Sequence, residues 1–115
     1  ELSAIKDLIA TYQASAYKSL GIVCKTESQA REMADKLQIP DIHFLSNQSS
    51  AFVQGIVITS AHMAKGLEFD EVIIPQADDR NYHSEIDRSM LYVAITRAMH
   101  RLTLTYSGTK HTPFI

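Results

Sequence analysis

Apolar positions near the start of the chain recur at helical spacing. Leu2, Ile5, Leu8, Ile9 and Tyr12 form one stripe with Lys6, Asp7 and Gln13 turned away, which predicts an amphipathic helix over residues 2 to 15. Gly21-Ile22-Val23-Cys24-Lys25 is a short apolar run after a turn residue and predicts a buried strand. Thr26, with Gln29 three residues on, has the spacing of a capping box, and Ala30, Met33, Ala34 and Leu37 carry the helical period until Pro40 forbids more. Asp41-Ile42-His43-Phe44-Leu45 fits a second strand, followed by the polar connector Ser46 to Ser50.

After Gly55 the pattern becomes denser. Ile56-Val57-Ile58-Thr59 and Val72-Ile73-Ile74 are β-branched runs of the kind that lie centrally in sheets covered on both faces. The stretch between them, Ser60 to Phe69, is polar, contains a glycine and is too short to hold a full crossover helix. Residues 76 to 84 read as a surface loop, and Ser84 with Asp87 opens a helix over 85 to 100 whose buried stripe is expected to be Ile86, Met90, Val93, Ala94 and Met99. Leu102-Thr103-Leu104-Thr105-Tyr106 alternates and predicts a last, edge strand before Gly108. Strands alternating with helices in this way predict one domain over residues 1–115, with an α/β architecture of three layers, a mostly parallel sheet and right-handed crossovers.

Composition narrows the chemistry. With 115 residues and 45% apolar side chains the chain can build a core without disulfides or metal. The longest unbroken apolar run, Met90 to Ile95, is far below the roughly 20 residues that span a bilayer, so no membrane partner is expected. The lone Cys24 reads as a small apolar residue inside a strand and suits a reducing, cytoplasmic setting. A start at Glu1 without an initiator Met reads as a piece of a longer protein. None of the four glycines begins a GxxxxGK[ST] or GxGxxG pattern, so the chain carries no phosphate-cradling loop of its own. The net charge of −2 advertises no general affinity for nucleic acid, so any such binding must be local. Asp70, Glu71, Asp78 and Asp79 read as charges flanking a buried strand, and the five histidines lack ligand spacing, so no metal site is expected. Tyr82 and Tyr106 could stack bases, but sheet or surface aromatics is the plainer reading.

Two segments hold the concentrated chemistry. Within seven positions His62 to Glu68 offers an imidazole, Lys65, the backbone freedom of Gly66 and a carboxylate. Imidazole and ammonium donors suit phosphate oxygens, whereas a carboxylate accepts from a ribose hydroxyl. A tight loop with solvated charges explains the same residues. In the helix over 85 to 100, Arg88 and Arg97 are nine residues apart, a net half-turn at about 100° per residue, so the two cannot serve one site. Arg97 could equally be a cation that complements the helix C-terminus.

These two segments resemble the second motor domain of superfamily I helicases of the Rep/UvrD type. The family's fifth motif, T-x-H-x-x-K-G-L-E-F, is matched by residues 60–69 except for Ser60 in the first place; the sixth, L-Y-V-A-x-T-R-A, is matched at every fixed position by residues 91–98. The resemblance implies a RecA-like domain that binds ATP and Mg²⁺ in a cleft shared with an N-terminal motor domain of the same polypeptide, in a bacterial cytoplasmic protein. It implies that Arg97 is the arginine finger and therefore the catalytic residue, that Glu68 contacts the ribose with Gly66 permitting the turn, and that Ser60 and His62 face single-stranded or partly duplex DNA. Lys65, Tyr92 and Thr96 match the motifs as coupling or packing residues. The Walker A loop and the acidic Walker B strand have no counterpart, so this piece alone is expected not to hydrolyse ATP. The wording Lys65 to Asp70, Asp87-Arg88 and Ala98-Met99-His100 is also similar to helicase-like ATPases that associate with bacterial RNA polymerase, which would make polymerase the partner. A non-catalytic α/β binding module is the third reading.

Overall fold

The computed structural model describes residues 1–40, 42–45, 55–108 and 110–115. Its elements are α1 (Leu2–Gln13), β1 (Ser19–Cys24), α2 (Glu27–Leu37), β2 (Ile42–Phe44), β3 (Gly55–Ser60), β4 (Phe69–Ile74), α3 (Glu85–Ile95) and β5 (Ala98–Leu104). Asp41 and the connector Ser46 to Ser50 lie outside the described residues. The five strands form one sheet in the order β2-β3-β1-β4-β5, with every neighbouring pair parallel. β1 is the middle strand, and β3 and β4 flank it as buried neighbours.

Side-chain alternation assigns the layers. Leu20, Ile22 and Cys24 of β1, with Ile56, Ile58 and Ile73, face Ile5 and Ile9 of α1 and Ala30, Met33 and Leu37 of α2. Val23, Val57, Val72 and Ile74 face Leu91 and Ala94 of α3, together with Ala61, Ala64 and Tyr82. Each such fully buried aliphatic side chain is worth about 1.5–3 kcal/mol. The result is the expected three-layer α/β fold. Burial holds the Cys24 thiol neutral by pushing its pKa up to about 12.

Helix starts follow local chemistry, with one half-fulfilled expectation. Thr26 Oγ1 accepts from Gln29 N–H at 3.2 Å, but the Gln29 side chain donates to Asn81 Oδ1 at 2.8 Å instead of closing the box. α2 stops at Leu37 because Gln38 turns into the left-handed region with φ 49°, two residues before Pro40. Ser84 and Asp87 close a complete capping box on α3.

From Glu71 onward the structure corrects four sequence expectations. α3 ends at Ile95, and residues 98–100 already belong to β5, so the predicted helix over 85 to 100 is two elements and the final strand starts earlier than Leu102. The buried stripe of α3 is Asp87, Leu91 and Ala94, whereas Ile86 is 72% exposed and Met99 56% exposed. Asp87, held inward by its cap and by Lys25, lies inside where Ile86 was expected, while Ala94 is fully buried as expected and Met90 and Val93 are half-buried. The loop over 76 to 84 is not wholly superficial, since Ala77 and Tyr82 are fully buried; Tyr82 therefore cannot stack on a base. Glu71, read as a flanking charge, has 0% exposure.

Candidate functional site

The segment from Ser60 to Phe69 joins parallel strands on either side of β1 and must travel the full height of the sheet. At its start Ser60 is level with Cys24; at its end Asp70 N–H donates to Ser19 Oγ at 2.9 Å while Asp70 Oδ2 accepts from Lys18 N–H at 2.8 Å. The five residue steps between those levels, at about 3.3 Å each, make that descent roughly 16 Å. Without room for a helix, residues 61–66 descend as consecutive turns over the face shared with α3. Gly66 supplies the reversal with φ +81°. The Phe69 ring then lies across β1 at Gly21, where a Cβ would come within 2.5 Å of it.

This descent separates the sequence-predicted residues into two groups. Ser60 and His62 are at the carboxyl end of β3, whereas Gly66 and Glu68 arrive at the amino ends of β4 and β5. Ser60 is 4% exposed and its hydroxyl accepts from Met63 N–H at 3.2 Å, so it shapes the turn that presents the exposed His62. His62 lies between two cavities. One, of about 140 Å³, also involves Lys65, Ile86, Met90 and Val93 of α3; the other, of about 260 Å³, reaches Lys25 and Thr26 at the end of β1.

At the opposite end the two motif segments meet. The backbone N–H of Phe69 donates to Arg97 O at 2.9 Å, and Arg97 Nη1 donates to Leu67 O at 3.4 Å. Arg97 thus grips the residues on either side of Glu68, whose carboxylate is exposed, as is Gly66. The rest of the guanidinium is folded over the end of α3, with Nε donating to Val93 O at 3.1 Å and Nη2 to Thr96 Oγ1 at 3.1 Å. Thr96 in turn donates to Val93 O and Tyr92 O, and Tyr92 stands out from the helix at 68% exposure. Because Arg97 lies beyond the last helical residue, the half-turn separation from Arg88 does not describe it. The two remain apart: Arg88 pairs with the neighbouring Glu85 at 3.8 Å.

Sequence reasoning missed the network beneath this surface. Lys25 Nζ sits 2.7 Å from Asp87 Oδ1 and donates to Asn81 O at 2.8 Å, tying the end of β1 to the start of α3. The Asp87 carboxyl is held far below the usual range, first by Lys25, against the opposing effect of burial, and then by hydrogen bonds from His83 and Ser84. Its signal was the capping-box spacing, which marks Asp87 as local but not as a long-range partner. Glu71 and Arg101, 3.6 Å apart across β4 and β5, were invisible because they are thirty residues apart in a chain whose strand register was unknown.

Comparisons with known proteins agree with this architecture. DNA helicase II of Escherichia coli (strain K12) is 33% identical over 73 residues, covering 55% of this chain and 10% of that protein. The Gabija protein GajB of Bacillus cereus (strain VD045) is 43% identical over 58 residues, covering 50% of this chain and 12% of that protein. The chain therefore spans about a tenth of the length of these curated relatives. The solved C-terminal domain of a possible DNA helicase from Lactobacillus plantarum WCFS1 superposes with a TM-score of 0.82 at 28% identity, covering 98% of this chain and 70% of that one. With the model of the UvrD-like helicase C-terminal domain matching residues 15–109, across all five strands and both motif segments, the chain belongs to that family.

Proposed function

We propose that this chain is the second motor domain of a longer ATP-dependent DNA helicase or translocase, and that it completes an ATP site shared with an N-terminal motor domain. The observation that carries the reading is the grip of Arg97 on Leu67 and Phe69, which gathers a cation, an exposed carboxylate and a left-handed glycine at one end of the sheet. That donor set fits a nucleoside triphosphate: a planar, permanently charged fork for phosphoryl oxygens at Arg97, and an acceptor for ribose hydroxyls at Glu68. In this reading Mg²⁺ comes with the nucleotide and is held by the first motor domain. Bound ATP supplies the phosphoryl group whose transfer drives the motor. Arg97 exchanges its carbonyl partners for the γ-phosphate, and an arginine so placed is worth about 10³–10⁵ in rate, or roughly 4–7 kcal/mol of barrier. The hydrogen bonds it leaves are to neutral groups, each worth only about 0.5–1.5 kcal/mol.

His62, exposed at the other end of the crossover, faces single-stranded DNA, with Ser60 shaping its turn and Lys65 adding charge. Because one continuous segment carries both contacts, a shift of Gly66 to Phe69 on nucleotide binding is transmitted along eight residues to His62, which is how hydrolysis and strand movement are linked. In the full-length protein, Arg97→Ala is expected to leave ATP affinity within a few-fold and to cut turnover at least a hundredfold. Wild-type turnover in that variant would overturn the finger assignment.

A further inference from the structure

Glu71 is the least expected side chain in the sheet. It is a carboxylate with 0% exposure in a strand that continues with Val72, Ile73 and Ile74, and neither oxygen has a hydrogen-bond partner among the described residues. Among the described residues its one counter-charge is Arg101 Nη1, at 3.6 Å on the neighbouring strand. Burial raises the Glu71 carboxyl above its ordinary range, with Arg101 opposing that rise. An aliphatic residue would fill the position at less cost, so the charge needs a reason other than packing.

The register of β4 and β5 supplies one. Phe69 pairs with Ala98 and Glu71 pairs with Arg101, so two steps along β4 face three along β5, and the surplus residue forms a bulge. That bulge begins immediately after Arg97. The Phe69 N–H to Arg97 O bond holds its near side. On its far side the bulge turns His100 and Arg101 to the same neighbour: the Arg101 guanidinium lies 5.1 Å over the Tyr17 ring, and His100 stacks on that ring at 5.5 Å. An extra residue in a ladder can migrate by one position, and such a step turns the residue it passes to the other face of the sheet. Apolar pairs tolerate both registers; a buried carboxylate reaches its cation in one.

We infer that Glu71, acting through Arg101, is a positioning residue that locks the β5 bulge and thereby sets where Arg97 projects. This rests on the reading of Arg97 as the finger. In the full-length protein, Glu71→Gln, nearly identical in shape, should lower kcat for ATP hydrolysis at least tenfold, leave KM for ATP within about twofold and leave the melting temperature unchanged or higher. Arg101→Met should lower kcat in the same way, with a lower melting temperature because it leaves the buried Glu71 carboxylate without its cation, and decides the matter should Glu71→Gln fail to fold; Arg101→Lys should restore at least half of wild-type kcat. The decisive comparison is the cycle with Arg97→Ala. If Glu71 acts through Arg97, adding Glu71→Gln to Arg97→Ala produces no further loss in single-turnover rate. A wild-type kcat in Glu71→Gln, or an equal fractional loss with and without Arg97, overturns this inference while leaving the finger intact. Wild-type turnover in Arg97→Ala alone removes the finger reading, and this one with it.

Discussion

The two ends of α3 are held in opposite ways. At its start Asp87 is 8% exposed, accepts from His83 and Ser84 N–H groups at 3.1 and 3.2 Å, and meets Lys25 at 2.7 Å. Both oxygens of that carboxylate face donors, and one of those donors is a charge. At its end Arg97 is held only by neutral partners, the carbonyls of Val93 and Leu67 and the hydroxyl of Thr96, with no carboxylate paired to it among the described residues. A charge satisfied by an opposite charge in a partly dry setting is expensive to move; one resting on carbonyls is not. The helix is therefore anchored at the end that meets the centre of the sheet, while its terminal cation is held by neutral groups alone among the described residues.

Breaking the anchored end should cost most. Asp87→Ala leaves Lys25 without its partner and removes half of the capping box, and is expected to destabilise the chain by about 3 kcal/mol in urea denaturation. A loss under about 1 kcal/mol, the size of a surface ion pair, would mean that the two ends differ less than their geometry suggests. Acid probes the same end. The Asp87 carboxyl is lowered in the folded chain, so its contribution is complete above the unfolded value near pH 4 and shrinks as pH falls below it. Asp87→Asn should accordingly show a shallower fall in stability between about pH 4 and pH 2 than the parent chain. A smaller effect is expected at the hinge of the crossover: Gly66 has φ +81° with open space where a Cβ would stand, so Gly66→Ala should cost about 1 kcal/mol through backbone strain alone. At the free end Arg97→Ala should lower stability by about 1 kcal/mol, since its hydrogen bonds go to neutral groups that are only partly buried. Smallest of all, Ile86→Ser should fall within about 0.5 kcal/mol of the parent, because a side chain this exposed contributes little packing. A loss comparable to that of Leu91→Ala would restore Ile86 to the core.

Much of the fold was legible because it rests on local rules. Alternating and continuous apolar runs located the cores of β1, β3 and β4, and the Thr26 and Ser84 caps marked the starts of α2 and α3. The errors arose where a distant partner outweighed the local pattern. Asp87 lies inside against Lys25 while Ile86 faces solvent, and Ala98 pairs with Phe69 of β4 where the sequence periodicity continued the helix. Tyr82 was buried by packing under α3 although its polar neighbours read as surface.

The same division holds for the candidate site. The identities of the chemical groups, a cation at Arg97, a carboxylate at Glu68, a flexible joint at Gly66 and an imidazole at His62, were determined by the sequence, together with the family to which they point. Their arrangement was not. Only the tertiary structure decided that the crossover runs the height of the sheet, so that Glu68 joins Arg97 at one end while His62 and Ser60 stay at the other. Only strand register brought Glu71 to Arg101. Motifs record which groups the chemistry needs, because side-chain type fixes charge and hydrogen-bonding capacity; distances across a sheet depend on which strands pair and in what register, and that follows from the packing of all three layers at once.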